Sequence, residues 1–561
     1  MLSILGFLAV LGPLVIVHEM GHFLFAKLFG VKAEVFSIGF GPRIWSKQIG
    51  ETEWKISAIP LGGFVKLMGE EPDSKLTEAE LKRSLPRQAP WKRFFIFFGG
   101  PLFNFIWAII VFMAILLIGE PQLSSYVGRV VQGSHAEQSG LRSGDQIVAI
   151  DGKAVKKFEE VMNVVNDKPA QKIDFAVIHD GTMTPTHVTV TPTIQDGYSV
   201  YGEATHVGEI DGLIPTARST AIGLSNPESL AAKAGLKTGD ELLSLNGTAL
   251  KDWESFEKRY NALPAGSTAK IMAQSSKDQK DSKEFKGLKE AKTGTVTAQK
   301  DFTFTKPAVG KSVAADLGLH SSELFVDKPV PQSPAEKAGI KPGDRLVGIG
   351  TQDIHSFFEL KDAVQRAGEK DGKVEVRWER DGKITTASLT PTGTQTRDVL
   401  LKKTVQFTIG VVPMLSWAEP VTFIERIYNP FTLVFKATER MVVFSWRNFV
   451  SITKMFTGEV SVATLGGPIL IGKIAGESIS RGLIAFLSTM AILSVGLGVL
   501  NILPIPVLDG GHLLLLAIEA IRKRPLTIRQ TEIIQQVGLS LILLLMVVVI
   551  KNDLSRLPLF N

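Results

Sequence analysis

No cysteine occurs among the 561 residues, so disulfides, thiolate metal sites and cysteine nucleophiles are excluded together. Any metal must be held by histidine and carboxylate. Excess charge is scarce too, because 62 Lys and Arg against 56 Asp and Glu leave a net charge of only +6. The basic residues that do cluster, "KRSLPRQAPWKR" at 82–93 and "RKR" at 522–524, flank apolar runs. That placement marks cytoplasmic loops and contact with a lipid bilayer, and no nucleic-acid partner is expected. Histidine is rare, at 9 residues, so the position of each one is informative.

Apolar residues are abundant, at 45% of the chain, which is too many for an ordinary soluble enzyme of this length. Uncharged windows at 1–17, 94–119, 482–508 and 533–550 each come near or exceed the ~18 residues that cross a bilayer. Four transmembrane helices are predicted. The first window lacks a basic start and a small-x-small cleavage site, so it is expected to be a retained span rather than a leader. With both basic loops in the cytoplasm, both termini and the long segment between spans two and three are expected outside.

That outer segment, from Glu120 to about Ser416, has soluble composition and repeats itself. "GLRSGDQIVAIDG" (140–152), "GLKTGDELLSLNG" (235–247) and "GIKPGDRLVGIG" (339–350) each place a Gly-Asp turn before an alternating strand. The repeat implies three similar modules. Their strings resemble the core of PDZ domains, which bind extended peptides by strand addition; a spacer without ligand is the alternative for the middle copy. The charged stretch 275–292 within that copy reads as a solvated excursion.

The chemistry-bearing pattern lies in "VIVHEMGHFLFAKLFG" (15–30), where His18, Glu19 and His22 form H-E-x-x-H inside an apolar run. On a helix, positions i and i+4 share a face, so both imidazoles can reach one zinc ion with Glu19 as general base. Ionisable groups within a span are costly, and a bound metal offsets that cost. Capping or packing histidines are the alternative. Asp509 in "NILPIPVLDGGH" (501–512) is the first charge after 27 uncharged residues and the preferred third ligand, with His512 behind it. A His-His-Asp set leaves a fourth position open, as in catalytic zinc.

"HEMGH", "VFSIGFGP" (35–42), "IPLGGFVKLMGE" (59–70), "GGPLFN" (99–104), "GGPI" (466–469) and "NILPIPVLDGGH" together resemble the ordered signature of the site-2 intramembrane zinc metalloproteases, of the regulator of sigma-E protease type. The resemblance implies a zinc endopeptidase that cuts transmembrane segments of single-pass proteins, with an anti-sigma factor or remnant signal peptides as partners. It implies His18, His22 and Asp509 as zinc ligands and Glu19 as catalytic base, with Asn104, Asn501 and Pro504 assisting substrate handling. A third module and Gly496 depart from the family pattern.

The expected fold is a polytopic α-helical membrane protein with a membrane-associated β-sheet at 50–69 and inserted α+β PDZ-like domains. A plain cytoplasmic hairpin is the alternative for 50–69. Pro504 and Pro506 should break the third span and expose Asp509. The expected divisions are a protease core over 1–119, PDZ-like domains over 120–205, 206–318 and 319–415, interfacial helices and a re-entrant segment over 416–481, and a second core segment over 482–561. The PDZ-like domains are expected to act as a substrate size filter in the periplasm of a bacterial inner membrane, with the active site toward the cytoplasm. A PDZ scaffold on an inactive core, and a zinc transporter, are the rival readings. The complete His18, Glu19, His22 and Asp509 set weighs against the first, and the lack of ionisable residues in spans two and four against the second.

Overall fold

In the computed structural model the N-terminal apolar run forms one helix, α1 (Leu2–Leu28). The structure describes residues 2–70, 76–198, 204–275, 299–307, 312–370, 372–397, 403–458, 460, 465–524 and 526–555. Most of the charged stretch 275–292, and residues 461–464 of the expected re-entrant segment, lie outside the described residues. Two compact units form, Met1–Glu120 with Ile424–Asn561, and Pro121–Ser199 with Ala204–Phe423.

In the first unit, α1 is followed by two long strands, β1 (Ala33–Ile49) and β2 (Thr52–Leu67), which pair antiparallel. Residues 35–38 of β1 pair on one side with 63–66 and on the other with 53–56, so the two strands fold over into a broader sheet. Trp45, Ile49 and Ile59 are each about half exposed on it, and Ile44 more so. A sheet that leaves such side chains uncovered suits lipid better than water.

Helix α2 (Pro90–Ile118) starts with proline at a position where no intrahelical N–H bond is lost. It meets α1 backbone to backbone, because a Cβ at Gly21 would lie 2.1 Å from the Gly99 carbonyl oxygen. Small residues permit such close approach in membrane helices. Beyond the second unit, the chain returns as α3 (Pro430–Thr457), α4 (Pro468–Arg481), α5 (Leu483–Ile502), α6 (Asp509–Arg522) and α7 (Ile528–Ser555). Val10 and Leu14 of α1, Val111 and Ile115 of α2, and Met490 and Val495 of α5 share one buried core.

Length and composition qualify four helical stretches to cross a membrane: Leu5–Leu28, Pro90–Ile118, Leu483–Ile502 and Arg529–Ser555. The expected interfacial segment is one 28-residue helix, α3, whose Leu433 and Ala437 are buried while Phe431, Phe435 and Trp446 face outward. The near-isolated α7 is tied down at its end by Asp553. That buried carboxylate accepts hydrogen bonds from the Gly467, Ile469 and Leu470 amides, satisfying donors that the first turn of α4 leaves unpaired.

The second unit contains three four-stranded sheets that share one order. Strands Lys153–Ala154, Gln146–Ile150, Ile173–Ile178 and Thr186–Val190 form the first, and the sheets built on Glu241–Leu245 and Arg345–Ile349 repeat it. The repeated Gly-Asp turn has one cause in all three. Asp145, Asp240 and Asp344 are buried, and each accepts a hydrogen bond from the amide three residues earlier, at 2.8, 2.9 and 2.7 Å. Each module also closes by pairing its first strand with its last: Arg129–Val130 with Leu213–Ile214, Ile222–Gly223 with His320–Ser321, and Val326–Pro329 with Val411–Pro413.

Buried polar contacts join the modules. Arg129 of the first donates to Glu323 at 2.6 Å and to the His355 carbonyl at 2.7 Å. His320, on the strand that pairs with Ile222–Gly223, lies 3.1 Å from the Arg345 guanidinium, which pairs with Glu379. Burial, with that guanidinium beside it, lowers the His320 pKa to about 3. The unfolded chain, with a pKa near 6.5, therefore binds this proton first. The contribution is whole above about pH 6.5 and is lost as pH falls toward 3, at up to about 1.4 kcal/mol per pH unit. Thermal unfolding of the second unit in the full chain should drop over this window more steeply than in His320→Gln; equal slopes would remove His320 as the cause.

Candidate metal centre

Helix α1 carries His18, Glu19 and His22 on adjacent positions of its inner surface, as i and i+4 spacing requires. The break between α5 and α6 delivers the third group. Pro504 and Pro506 lie in this break, where proline lacks the N–H a continuing helix needs. Val507 takes a positive φ of 81°, and Asp509 opens α6.

The three side chains meet. His18 Nε2 and His22 Nε2 are 3.3 Å apart, His18 Nε2 lies 3.2 Å from Asp509 Oδ2, and His22 Nε2 lies 3.4 Å from Asp509 Oδ1. These side chains are only 11, 12 and 17% exposed. Four-coordinate zinc with bonds of about 2.0–2.1 Å separates its ligand atoms by roughly 3.3–3.4 Å, so the spacing fits that ion. Asp509 Oδ2 is moreover buried with no hydrogen-bond partner, a state that costs free energy unless a cation compensates it. Among the described residues these three form the cluster able to hold a metal.

Helix α2 makes the room. A Cβ at Gly100 would lie 2.3 Å from His22 Nε2 and 2.6 Å from His18 Cε1, so any larger residue there would displace both imidazoles. His22 Nδ1 lies 2.8 Å from the Ile96 carbonyl oxygen. Asn104 reaches His18 Nδ1 at 3.0 Å, and Asn501 reaches His18 Nε2 at 3.3 Å.

A cavity of about 520 Å³ opens onto these groups, lined among others by His18, Glu19, His22, Asn501 and Asp509. Glu19 is buried beside the cluster without joining it. His512 also lines the cavity, but its ring stacks on Phe97 at 4.6 Å instead of joining the three donors. Asn104 is fully buried outside the lining, and Pro504 is exposed and also outside it. The strand end Gly62–Val65 forms one wall. There Gly63 is tight against Glu19, since a Cβ would stand 3.0 Å from its Cγ. The glycines of "GGPLFN" and "IPLGGFVKLMGE" clear space around His18, His22 and Glu19, a role that no periodicity in the sequence signals.

Similar proteins cover the same length. The regulator of sigma-E protease RseP of Escherichia coli is 26% identical over 563 residues, spanning 98% of each chain. A Neisseria meningitidis protein named as a zinc metalloprotease is 28% identical over 558 residues, 99% of each chain. Among solved structures, a PDZ domain of an SdrC-like protein from Listeria monocytogenes is 18% identical and covers 17% of this chain and 90% of its own, at a TM-score of 0.14. The profile of Peptidase family M50 matches residues 6–545, from near the start of α1 through most of α7, and the chain therefore belongs to peptidase family M50.

Proposed function

We propose that this protein is a zinc-dependent endopeptidase that cuts transmembrane segments of single-pass proteins within the bilayer, in regulated intramembrane proteolysis. The observation that carries this is the convergence of His18, His22 and Asp509 beside Glu19, with both histidines and the glutamate on a helix long and apolar enough to span a membrane. The naming of full-length relatives as zinc metalloproteases and as regulators of sigma-E supports it.

His18, His22 and Asp509 hold the zinc, which when bound supplies a Lewis acid that polarises the scissile carbonyl and acidifies water. Glu19 accepts the proton of the attacking water and delivers it to the leaving amine. Asn501 would donate a hydrogen bond to the substrate at the reacting carbonyl, a role that its position in the cavity lining beside His18 supports. A substrate helix must first unwind, and lipid offers its freed backbone groups no partner. Residues 63–67 pair with the 33–38 stretch on one side, and their other edge, beside the cavity wall, can receive an extended substrate by strand addition.

The basic segments 82–93 and 522–524 favour an orientation in a bacterial inner membrane with the site toward the cytoplasm and the second unit in the periplasm. Substrates are then single-pass proteins such as an anti-sigma factor already trimmed by another protease, or remnant signal peptides. The three modules act as a size filter that excludes untrimmed outer domains. A recruiter would gain binding energy from the substrate tail, whereas a filter gains none.

Deletion of 124–412 with a Gly/Ser bridge should leave cleavage of a short-tailed substrate unchanged and admit one with a folded outer domain. Paired cleavage assays on the two substrates decide it. Slower cleavage of the short one, with the long one still refused, would establish recruitment instead.

A further inference from the structure

Both imidazoles of the cluster lean on one face of α2. Ile96, Gly100 and Asn104 are spaced i, i+4 and i+8, hence lie in one stripe along the helix. Ile96 offers its carbonyl oxygen to His22 Nδ1 at 2.8 Å, Gly100 leaves the space, and Asn104 meets His18 Nδ1 at 3.0 Å.

A carbonyl oxygen only accepts, so His22 carries its proton on Nδ1 and turns the Nε2 lone pair toward Asp509. For His18 to use Nε2 in the same way, its Nδ1 must also bear the proton, and the group opposite must be an acceptor. In the structure the Asn104 amide nitrogen faces it, while the amide oxygen is buried with no hydrogen-bond partner. Two donors would then oppose each other. A half-turn of the amide exchanges nitrogen and oxygen with almost no change in shape.

We propose that Asn104 presents its carbonyl oxygen to His18 Nδ1–H and is a positioning residue that sets the metal-binding tautomer of His18, rather than a contact for substrate. Its burial supports this: Asn104 is 0% exposed and absent from the cavity wall. It is also held from behind, since the Ser494 hydroxyl of α5 donates to its backbone carbonyl at 2.8 Å. The α2 stripe thus acts as acceptor, space and acceptor for the two histidines. Outer partners of this kind typically change metal affinity by about 10–100-fold.

The proposal rests on His18, His22 and Asp509 being zinc ligands, and the experiment separates the two. Zinc content and zinc affinity, by chelator competition, are measured on the purified full chain and on Asn104→Asp, Asn104→Leu and Asn104→Ala. Wild type without zinc overturns the ligand assignment itself. With zinc present, Asn104→Leu and Asn104→Ala should bind it about 10–100-fold more weakly, while Asn104→Asp, which keeps an acceptor at that position, should hold it at least as tightly as wild type. Unchanged affinity in Leu and Ala, or equal loss in Asp, overturns the positioning role. Should the apolar variants fail to fold, ¹⁵N-histidine spectra of zinc-free wild type decide it: the proton must be on His18 Nδ1, and finding it on Nε2 refutes the assignment.

Discussion

Glu19→Gln should reduce cleavage by about 10²–10⁴-fold or more, the range that a general base contributes, while the purified chain still holds about one zinc. The substitution keeps size and shape in a tight place, since Glu19 is buried and Gly63 packs directly on its side chain. It removes only the capacity to take up a proton. Because Glu19 is outside the three-donor cluster, its loss of charge leaves those three donors in place. Cleavage of a single-pass substrate and zinc per chain are measured on the same preparation. Zinc lost together with activity would move Glu19 into direct coordination and undo its assignment as base.

Asp509→Ala should behave differently, losing both. It leaves two imidazoles and solvent around the ion, and the fall in zinc affinity should exceed the ~10–100-fold expected for an outer partner. The substitution also removes the Asp509 contacts to His18 Nε2 at 3.2 Å and His22 Nε2 at 3.4 Å, so stability without zinc is measured alongside zinc affinity. Metal analysis and unfolding curves, with and without a chelator, distinguish loss of a ligand from loss of fold. Zinc retained in Asp509→Ala but lost in His512→Ala would transfer the third ligand to His512, which the structure instead stacks on Phe97.

Much of this was legible in the chain. Four apolar windows became four helices of sufficient length, because burying or lipid-facing apolar runs have few other ways to satisfy their backbone. The three Gly-Asp strings became three sheets of one strand order, because the buried aspartate and its turn are local chemistry that each copy repeats. The two prolines before Asp509 did separate α5 from α6, again a local effect. The i and i+4 spacing of His18 and His22 placed them together for the same reason.

The sequence by itself therefore determined the element types, the repeat, and a candidate pair of histidines with a neighbouring glutamate, all of which depend on residues close together along the chain. Only the tertiary structure decided that Asp509, rather than His512, meets those histidines, since the two candidates are three residues apart and nearly 500 residues from the pair. It also decided that Asn104 is buried behind His18 and that Asn501 opens on the cavity. The glycines at 21, 63, 99 and 100 acquire their meaning at the same level. A glycine in an apolar helix carries no periodic signal; its purpose shows only when a second backbone or an imidazole occupies the volume its side chain does not fill.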